Sequence, residues 1–126
     1  IGRITYTTGN VYEGSFKNNK RHGQGIFYFN KGKWKGDKYI GQWKDNKYNG
    51  QGSYYWKDGS KYIGQWKNDD KHGQGTMSWP SGNKYVGQWK NDKQHGQGTK
   101  TYTSGKIEKG IWENGKFMYA QGSQNP

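Results

Sequence analysis

Three histidines occupy the same place in a segment that the chain repeats, directly before a Gly-x-Gly triplet. They are His22, His72 and His95, and Asn49 takes this place in the remaining copy. Imidazole side chains could bind a metal ion or transfer protons. However, histidines one repeat apart lie too far from each other to share an ion that binds at about 2.0–2.1 Å. We therefore predict no metal site and expect these side chains to make a loop hydrogen bond that asparagine could also make.

Other side chains do not form a catalytic pattern. The chain has no cysteine, which excludes disulfides, thiolate catalysis and cysteine-based metal sites. The nine acidic residues lie mostly in predicted turns, and serines such as Ser53 and Ser81 lack an evident histidine and acidic partner. The Gly-Gln-Gly triplet lacks the Lys-Ser/Thr tail and the following helix of a phosphate-binding loop. We therefore predict no catalytic residues, no enzymatic activity and no cofactor.

Aromatic residues recur at fixed places, and their rings could pack together or bind a partner. The row consists of Tyr12, Phe16, Phe29, Tyr39, Trp43, Trp56, Tyr62, Trp66, Trp79, Tyr85, Trp89, Tyr102 and Trp112. Its main predicted role is structural, because large rings bury much apolar area per residue. Part of the row is also predicted to stay open as a groove, because exposed apolar area tends to mark a binding site.

Lysines recur in register as well. One row is Lys17, Lys44, Lys67 and Lys90, and a second row is Lys38, Lys61 and Lys84, with Lys106 one residue short of its next step. With two strands per repeat, each row would have a spacing of roughly 10 Å. Such rows suit a solvated face that keeps an open sheet from pairing with copies of itself. They also suit an anionic membrane surface, where each lysine contributes about 1 kcal/mol. Aspartates in predicted turns partly dilute this charge.

The elements that position these residues are repeats 23 positions apart. Residues 61–79 read KYIGQWKNDDKHGQGTMSW, residues 84–102 read KYVGQWKNDKQHGQGTKTY, and residues 38–56 read KYIGQWKDNKYNGQGSYYW. Tyr62, Gly64 and Trp66 would point to one face of a strand, and the residues between them to the other. Each unit is therefore predicted to be two strands of about five to seven residues joined by a Gly-rich loop. No 3.6-residue apolar stripe is present, which argues against helix.

The glycine between the two rings of each unit requires its own explanation, because glycine weakens a strand interior unless another group must come close. We expect rings at positions i−2 and i+2, or rings of the next unit, to lie over the bare backbone. This arrangement predicts a ladder of stacked aromatics instead of a two-layer core. One hairpin is marginal alone, and stacking gives each unit a neighbour.

The length of the chain indicates a single domain, residues 1–126. Only 27% of residues are hydrophobic and the net charge is +12, a combination that usually indicates disorder. The 17% aromatic content and the fixed placing of the 22 glycines argue against disorder. No apolar run reaches the length of a transmembrane helix, and the first residues lack an apolar signal segment.

The predicted units follow from the recurring tyrosine. A half unit covers residues 1–11, and a unit with an insertion at 33–36 covers 12–38. Three regular units cover 39–61, 62–84 and 85–107. Residues 108–126, where Glu108 replaces the tyrosine, are predicted to be a degenerate capping half unit.

The segments YEGSFKNNKRHGQGIFYF, YIGQWKDNKYNGQGSYYW, YIGQWKNDDKHGQGTMSW and YVGQWKNDKQHGQGTKTY resemble the MORN repeat (membrane occupation and recognition nexus). The family motif Tyr-x-Gly-x-Trp/Phe … Gly-x-Gly occurs four times in register. The resemblance implies an all-β fold, an elongated, single-layer, twisted antiparallel sheet of successive hairpins. It also implies a scaffold or targeting role. The departures are the insertion at 33–36, Glu108, and a C-terminal segment without Gly-x-Gly.

The function predicted is a non-catalytic scaffold for protein–protein interaction. Its partner would be a peptide or helix in the aromatic groove, or a second copy in a homodimer. The alternative is peripheral attachment to anionic phospholipid through the lysine rows. Nucleic-acid binding suits the basic charge and the rings, but the repeat already explains the ring spacing. Glycan binding on aromatic platforms is a further alternative, although its repeats lack this register. The compartment stays open, and a cytoplasmic or peripheral membrane location is consistent with the sequence.

Overall fold

The computed structural model describes residues 1–120 of the 126-residue chain. These residues form one open antiparallel sheet of eleven strands in strictly sequential order. The strands are β1 (Gly2–Thr5), β2 (Val11–Lys17), β3 (Lys20–Tyr28), β4 (Lys38–Lys44), β5 (Lys47–Tyr55), β6 (Lys61–Lys67), β7 (Asp70–Ser78), β8 (Lys84–Lys90), β9 (Lys93–Thr101), β10 (Ile107–Glu113) and β11 (Lys116–Ala120). The predicted all-β fold of successive hairpins is confirmed. Of the predicted cap at 108–126, residues 121–126 lie outside the described residues.

Each hairpin closes through two residues with positive φ. Between β6 and β7 these are Asn68 at φ 49° and Asp69 at φ 72°. Two such residues in succession form a type I′ turn, whose twist matches the twist of the strands beside it. Asparagine and aspartate tolerate this backbone region better than most residues. Asparagine and aspartate therefore act as turn formers at the tip of each hairpin.

The Gly-rich segment is placed differently from the prediction. It lies inside the second strand of each hairpin, which has nine residues, and not in a loop between two strands of five to seven. The register pairs Gly64 with Gly75 but Trp66 with Lys71, so Gln65 alone faces residues 72–74. This β-bulge requires positive φ at Gly73, which has φ 75°. The Oε1 atom of Gln65 accepts a hydrogen bond from the backbone N–H of Gln74 at 2.8 Å.

Turn residues also join each hairpin to the hairpin before it. The N–H of Asp69 donates to the carbonyl of Tyr48 at 3.0 Å, and the Asp69 Oδ1 atom accepts from the N–H of Tyr48 at 2.9 Å. Asn46 makes the same two bonds with Arg21, at 3.0 and 2.9 Å. Asp92 makes them with Lys71, at 3.1 and 2.8 Å. The second turn residue is therefore an inter-unit clamp as well as a turn former.

Connections between units are short, with one exception. The connection at residues 56–60 closes with the N–H of Trp56 donating to the Ser60 carbonyl at 3.0 Å. Between β3 and β4 the equivalent connection covers residues 29–37, and the N–H of Phe29 donates to the Asp37 carbonyl at 3.1 Å. The longer step in the repeat therefore falls in this connection, which carries Trp34, a side chain that is 50% exposed.

The core lies on one side of the sheet. Tyr62, Gly64 and Trp66 are buried, whereas Ile63, Gln65 and Lys67 between them are exposed. We call the side that carries Tyr62, Gly64, Trp66 and their equivalents the aromatic face, and the other side the lysine face. Strand alternation places each repeat position on one of these two faces. Among residues 1–120 the structure contains no helix, so none that could cross a membrane.

Candidate interaction surface

The floor of the aromatic face is a row of fully buried tyrosines. Each hydroxyl donates to the backbone carbonyl three residues further on, as Tyr62 does to Gln65 at 2.9 Å. The ring of Tyr62 also covers Gly64 and Gly75, where added side chains would collide with its hydroxyl. The members of the row are 0% exposed, namely Tyr12, Tyr39, Tyr62 and Tyr85. Because these four rings are fully buried, their role is structural, and the prediction that the aromatic row binds a partner rests on its more accessible rings.

A second row consists of tryptophans that lock neighbouring units together. The indole N–H of Trp66 donates to the carbonyl of Gly52 in the preceding unit at 3.1 Å. The Trp66 ring also packs edge-on against Tyr39, with centroids 5.6 Å apart, and against Tyr62 of its own unit at 5.0 Å. Trp43, Trp66, Trp89 and Trp112 are 3–6% exposed. They therefore form most of the predicted aromatic ladder and leave little ring area for a partner.

The accessible rings lie where the connections between units begin. Trp56 and Trp79 are half-buried, and Trp56 packs on Tyr54 with centroids 4.5 Å apart. Phe29 and Tyr102 are half-buried at equivalent places, and so is Tyr6, which is not part of the predicted row. Phe16, near the N-terminal end of the ladder, is also half-buried and packs edge-on against Tyr12 at 5.0 Å. Of the thirteen predicted rings, these half-buried ones are the candidates for contact.

A further row on this face was missed by the sequence analysis because its residue type changes from unit to unit. The position three residues after the first turn residue holds Arg21, Tyr48, Lys71 and Gln94. The Arg21 guanidinium lies 4.9 Å from the Trp43 ring centroid and 5.1 Å from that of Phe27. The signal for this row in the sequence is a position that varies between units beside rings that recur. At this position one repeat therefore differs from the next in charge and size.

Together these side chains surround a groove of about 490 Å³. Its lining combines buried ladder rings, half-buried rings and the variable row, namely Arg21, Phe27, Phe29, Trp34, Trp43, Asn46, Tyr48, Tyr54, Trp56, Trp66, Asp69, Lys71 and Asp92. Only Phe29, Trp43, Trp56 and Trp66 among them belong to the predicted aromatic row. Trp34 lies on the long connection, so the extra residues of that connection contribute to the groove wall.

Charged groups in the groove are shielded from water to different degrees. Burial lowers the pKa of Lys71, and the nearby carboxylates of Asp92 and Asp70 oppose this effect. Burial, assisted by the negative charge of Asp69, raises the pKa of Tyr48 well above its usual range. The hydroxyl of Tyr54 donates to Asp37 at 2.6 Å, and burial is the main cause of its raised pKa. The groove is therefore apolar at its floor and charged at defined points.

The lysine rows lie on the lysine face, away from the groove. Lys17, Lys44, Lys67 and Lys90 are all exposed at the ends of their strands. In the second row Lys38 and Lys61 are half-buried and Lys84 is exposed. The Lys38 ammonium lies 5.3 Å from the Tyr55 ring centroid. The two surfaces predicted from the sequence are therefore on opposite sides of one sheet.

Two residues at the histidine position, His22 and Asn49, accept a hydrogen bond from the turn of the next unit. The Nδ1 atom of His22 accepts from the N–H of Asp45, the first residue of the next turn, at 3.4 Å. Asn49 accepts from the N–H of Asn68 in the same way at 3.4 Å. The predicted exchange of histidine and asparagine is found for this pair. Within residues 1–120, no group of three histidine or acidic side chains is close enough to bind a metal ion.

The chain matches one family model, whose description is MORN repeat. The matches cover residues 12–34, 39–61, 62–84 and 85–107, which is well over half of the chain. No curated protein matches the sequence.

Proposed function

Since this chain belongs to the MORN repeat family, we propose that it is a non-catalytic scaffold that binds a protein segment along its aromatic face. MORN repeats are a non-enzymatic repeat type and are generally associated with membrane and protein interactions. The observation that carries the proposal is a groove of about 490 Å³ that stays open above the packed aromatic core. Trp34 is exposed and Trp56 is half-buried at this groove, and tryptophan is one of the residue types enriched among those that anchor protein interfaces.

The charge pattern supports a protein segment as the occupant. Asp69, Lys71 and Asp92 contribute charges of both signs to the groove lining. A mixed pattern of charges beside apolar rings suits a polypeptide, which offers both kinds of side chain along one segment. An anionic membrane would instead favour a surface of one sign.

A second candidate function is supported by the exposed lysines of the lysine face. Lys17, Lys44, Lys67 and Lys90 present four positive charges in one line, and such a line attracts acidic phospholipid. With a net charge of +12, however, the chain will approach any acidic vesicle without specificity. Attachment to the vesicle must therefore be tested for its resistance to salt.

Two variants separate the two functions, because the surfaces are on opposite faces. The groove variant carries Trp34→Ala and Trp56→Ala, two rings that are not fully buried. The lysine variant carries Gln at Lys17, Lys44, Lys67 and Lys90. The probes are random linear peptides selected on the unmodified chain, and vesicles of neutral lipid with and without acidic lipid. Circular dichroism and thermal unfolding establish that both variants are folded.

We expect peptides to be selected whose affinity falls in the groove variant by about tenfold or more, with little change in the lysine variant. Vesicle binding is expected to weaken as the screening length falls toward about 8 Å at 0.15 M salt. Failure to select a peptide whose binding depends on Trp34 and Trp56 would contradict the proposal. Salt-resistant binding to one phosphoinositide, lost in the lysine variant, would establish the second function instead.

A further inference from the structure

Two cations in the groove occupy equivalent positions of the repeat but differ in their counter-ions. Arg21 and Lys71 both belong to the variable row, and both lie over aromatic rings. The backbone N–H of each cation donates to the side chain of the second turn residue of the next unit. This residue is Asn46 for Arg21 and Asp92 for Lys71. The repeat therefore provides an internal comparison, in which one cation faces an amide and the other faces a carboxylate.

Lys71 has its charge compensated within the chain. Its ammonium lies 3.8 Å from the Oδ1 atom of Asp92 and is surrounded by rings, with the Trp56 centroid at 5.4 Å and the Trp89 centroid at 5.5 Å. Its side chain is only 16% exposed. Since the carboxylate is supplied from the neighbouring turn, Lys71 needs no charge from a partner.

Arg21 has no such compensation. Its Nη1 atom donates to the Tyr6 hydroxyl at 2.9 Å and its Nη2 atom donates to the Asn46 carbonyl at 3.1 Å, which are both neutral acceptors. Among residues 1–120 no carboxylate forms an ion pair with it. Its Nε atom is buried and has no hydrogen-bond partner in the described part of the chain. A partly desolvated guanidinium without a counter-ion is costly, and an incoming carboxylate would offset that cost.

We propose that Arg21 binds a side-chain carboxylate of the protein segment that occupies the groove. The segment would carry aspartate or glutamate beside apolar side chains, which pack on the neighbouring rings. Guanidinium presents two parallel N–H groups to a carboxylate, so the contact fixes the register of the segment as well as adding affinity. This inference rests on the proposed function and adds the chemistry of the partner and the residue that selects it.

A phospholipid headgroup fits this position less well. Arg21 lies on the aromatic face among the rings of Phe27 and Trp43, whereas the lysine rows that would hold a membrane lie on the opposite face. A membrane bound through those lysines would therefore not reach Arg21. The occupant that uses the rings and the cation together is a polypeptide with mixed side chains.

The decisive variant is Asn46→Asp, which supplies Arg21 with the counter-ion that Lys71 already has. The fold tolerates aspartate at this turn position, because Asp69 and Asp92 occupy it in the next two units with the same backbone hydrogen bonds. The matched control is Asp92→Asn, which makes the equivalent change of charge in the opposite direction at Lys71. Arg21→Gln removes the cation itself. Random linear peptides selected on the unmodified chain serve as the probe, and fluorescence anisotropy gives their affinity for each variant.

We expect the selected peptides to be enriched in aspartate or glutamate beside apolar residues. Their affinity should fall about tenfold to a hundredfold in Asn46→Asp and in Arg21→Gln, the range typical of a hydrogen bond to a charged group. Asp92→Asn should leave the affinity unchanged or raise it. The loss in Asn46→Asp should shrink at high salt, because the competing charge is then screened.

Peptides that bind the unmodified chain and Asn46→Asp equally well, or that lack acidic residues, would overturn this inference while leaving the proposed function intact. Absence of any peptide that depends on Trp34 and Trp56 would overturn both. Vesicle binding that requires Arg21, or a dimer in sedimentation analysis that Asn46→Asp dissociates, would replace the protein segment with a lipid or a second copy and would also overturn it.

Discussion

A single tyrosine explains why each repeat contains glycines that face each other across the hairpin. The Tyr62 ring lies over Gly75, and its hydroxyl reaches the Gln65 carbonyl at 2.9 Å. An ideal Cβ atom on Gly64 would lie 2.6 Å from the Gln74 carbonyl oxygen and 2.8 Å from the Tyr62 hydroxyl. Both residues are extended, so it is space and not a special φ that requires glycine. The ring, its hydroxyl bond and the two bare backbones therefore form one packing unit.

Gly64→Ala and Gly75→Ala should each destabilise the fold by about 1–3 kcal/mol or more, because overpacking forces rings and backbone apart. The matched control is Gly2→Ala. Gly2 pairs with Gly14 at the equivalent register, but its nearest neighbour is the Phe16 ring at an ordinary 3.5 Å. Urea unfolding followed by tryptophan fluorescence measures the difference. Equal stability of Gly75→Ala and Gly2→Ala would show that the tyrosine does not restrict the site.

The ring-over-glycine contact could be predicted from the sequence, because the spacing Tyr-x-Gly-x-Trp has few other physical explanations. The exposure of each ring could not. Tyr62 and Trp56 are both aromatic residues of one repeat, yet the first is fully buried and the second is half-buried. Burial depends on which unit packs beside the ring, and this information is not present within a single repeat.

The hairpin is stabilised by a turn that serves two purposes. Asp69 adopts a φ of 72° and also makes two hydrogen bonds to Tyr48 in the preceding unit. The Gly-rich segment was misassigned from sequence because glycine and a polar neighbour indicate a loop and a bulge equally well. Which one forms depends on register with the partner strand, and Gln65 opposite residues 72–74 determines that register.

Asp69→Gly should destabilise the protein by about 1 kcal/mol, the typical net value of one hydrogen bond. Glycine is better suited than aspartate to positive φ, so turn preference alone would give the opposite sign. Asp69→Asn keeps the acceptor and should be close to neutral. Thermal unfolding of the three proteins decides between these effects, and a stabilised Asp69→Gly would show that the inter-unit bond contributes nothing.

Over the whole molecule, the sheet has an aromatic face that forms the core and a lysine face that is largely in water. The sequence predicted both rows of side chains, because strand alternation places them reliably. It could not predict that Arg21, Tyr48 and Lys71 line the groove, since the family motif does not include their position. The groove lining therefore differs from unit to unit at this position.

The buried tyrosines along the sheet make the protein sensitive to alkali. Burial raises the pKa of Tyr85 from 10.0 to about 12, and it raises the pKa values of Tyr39 and Tyr62 as well. Above pH 10 the unfolded chain releases phenolic protons that the folded chain retains. The unfolded state then binds fewer protons, so stability is fully present below pH 10 and is lost as the pH rises toward 12.

Urea unfolding across this pH range, with phenolate absorbance recorded in parallel, measures the effect. The comparison is with Tyr85→Phe, which keeps every other titratable group of the chain. That variant lacks one hydroxyl bond at every pH but should lose less stability between pH 10 and 12. Identical pH slopes for the two proteins would show that Tyr85 ionises without unfolding.

The sequential strand order has a mechanical consequence. Because β1 and β11 are the two edges of the sheet, tension applied between them pulls along the hydrogen bonds and opens them one rung at a time. A sheet loaded in this direction unzips at low force, in contrast to strands that are sheared along their length. Each 23-residue unit released would lengthen the tether by roughly 75–80 Å at full extension. A sheet of this design yields in steps, so the inner units stay folded while the edges give way.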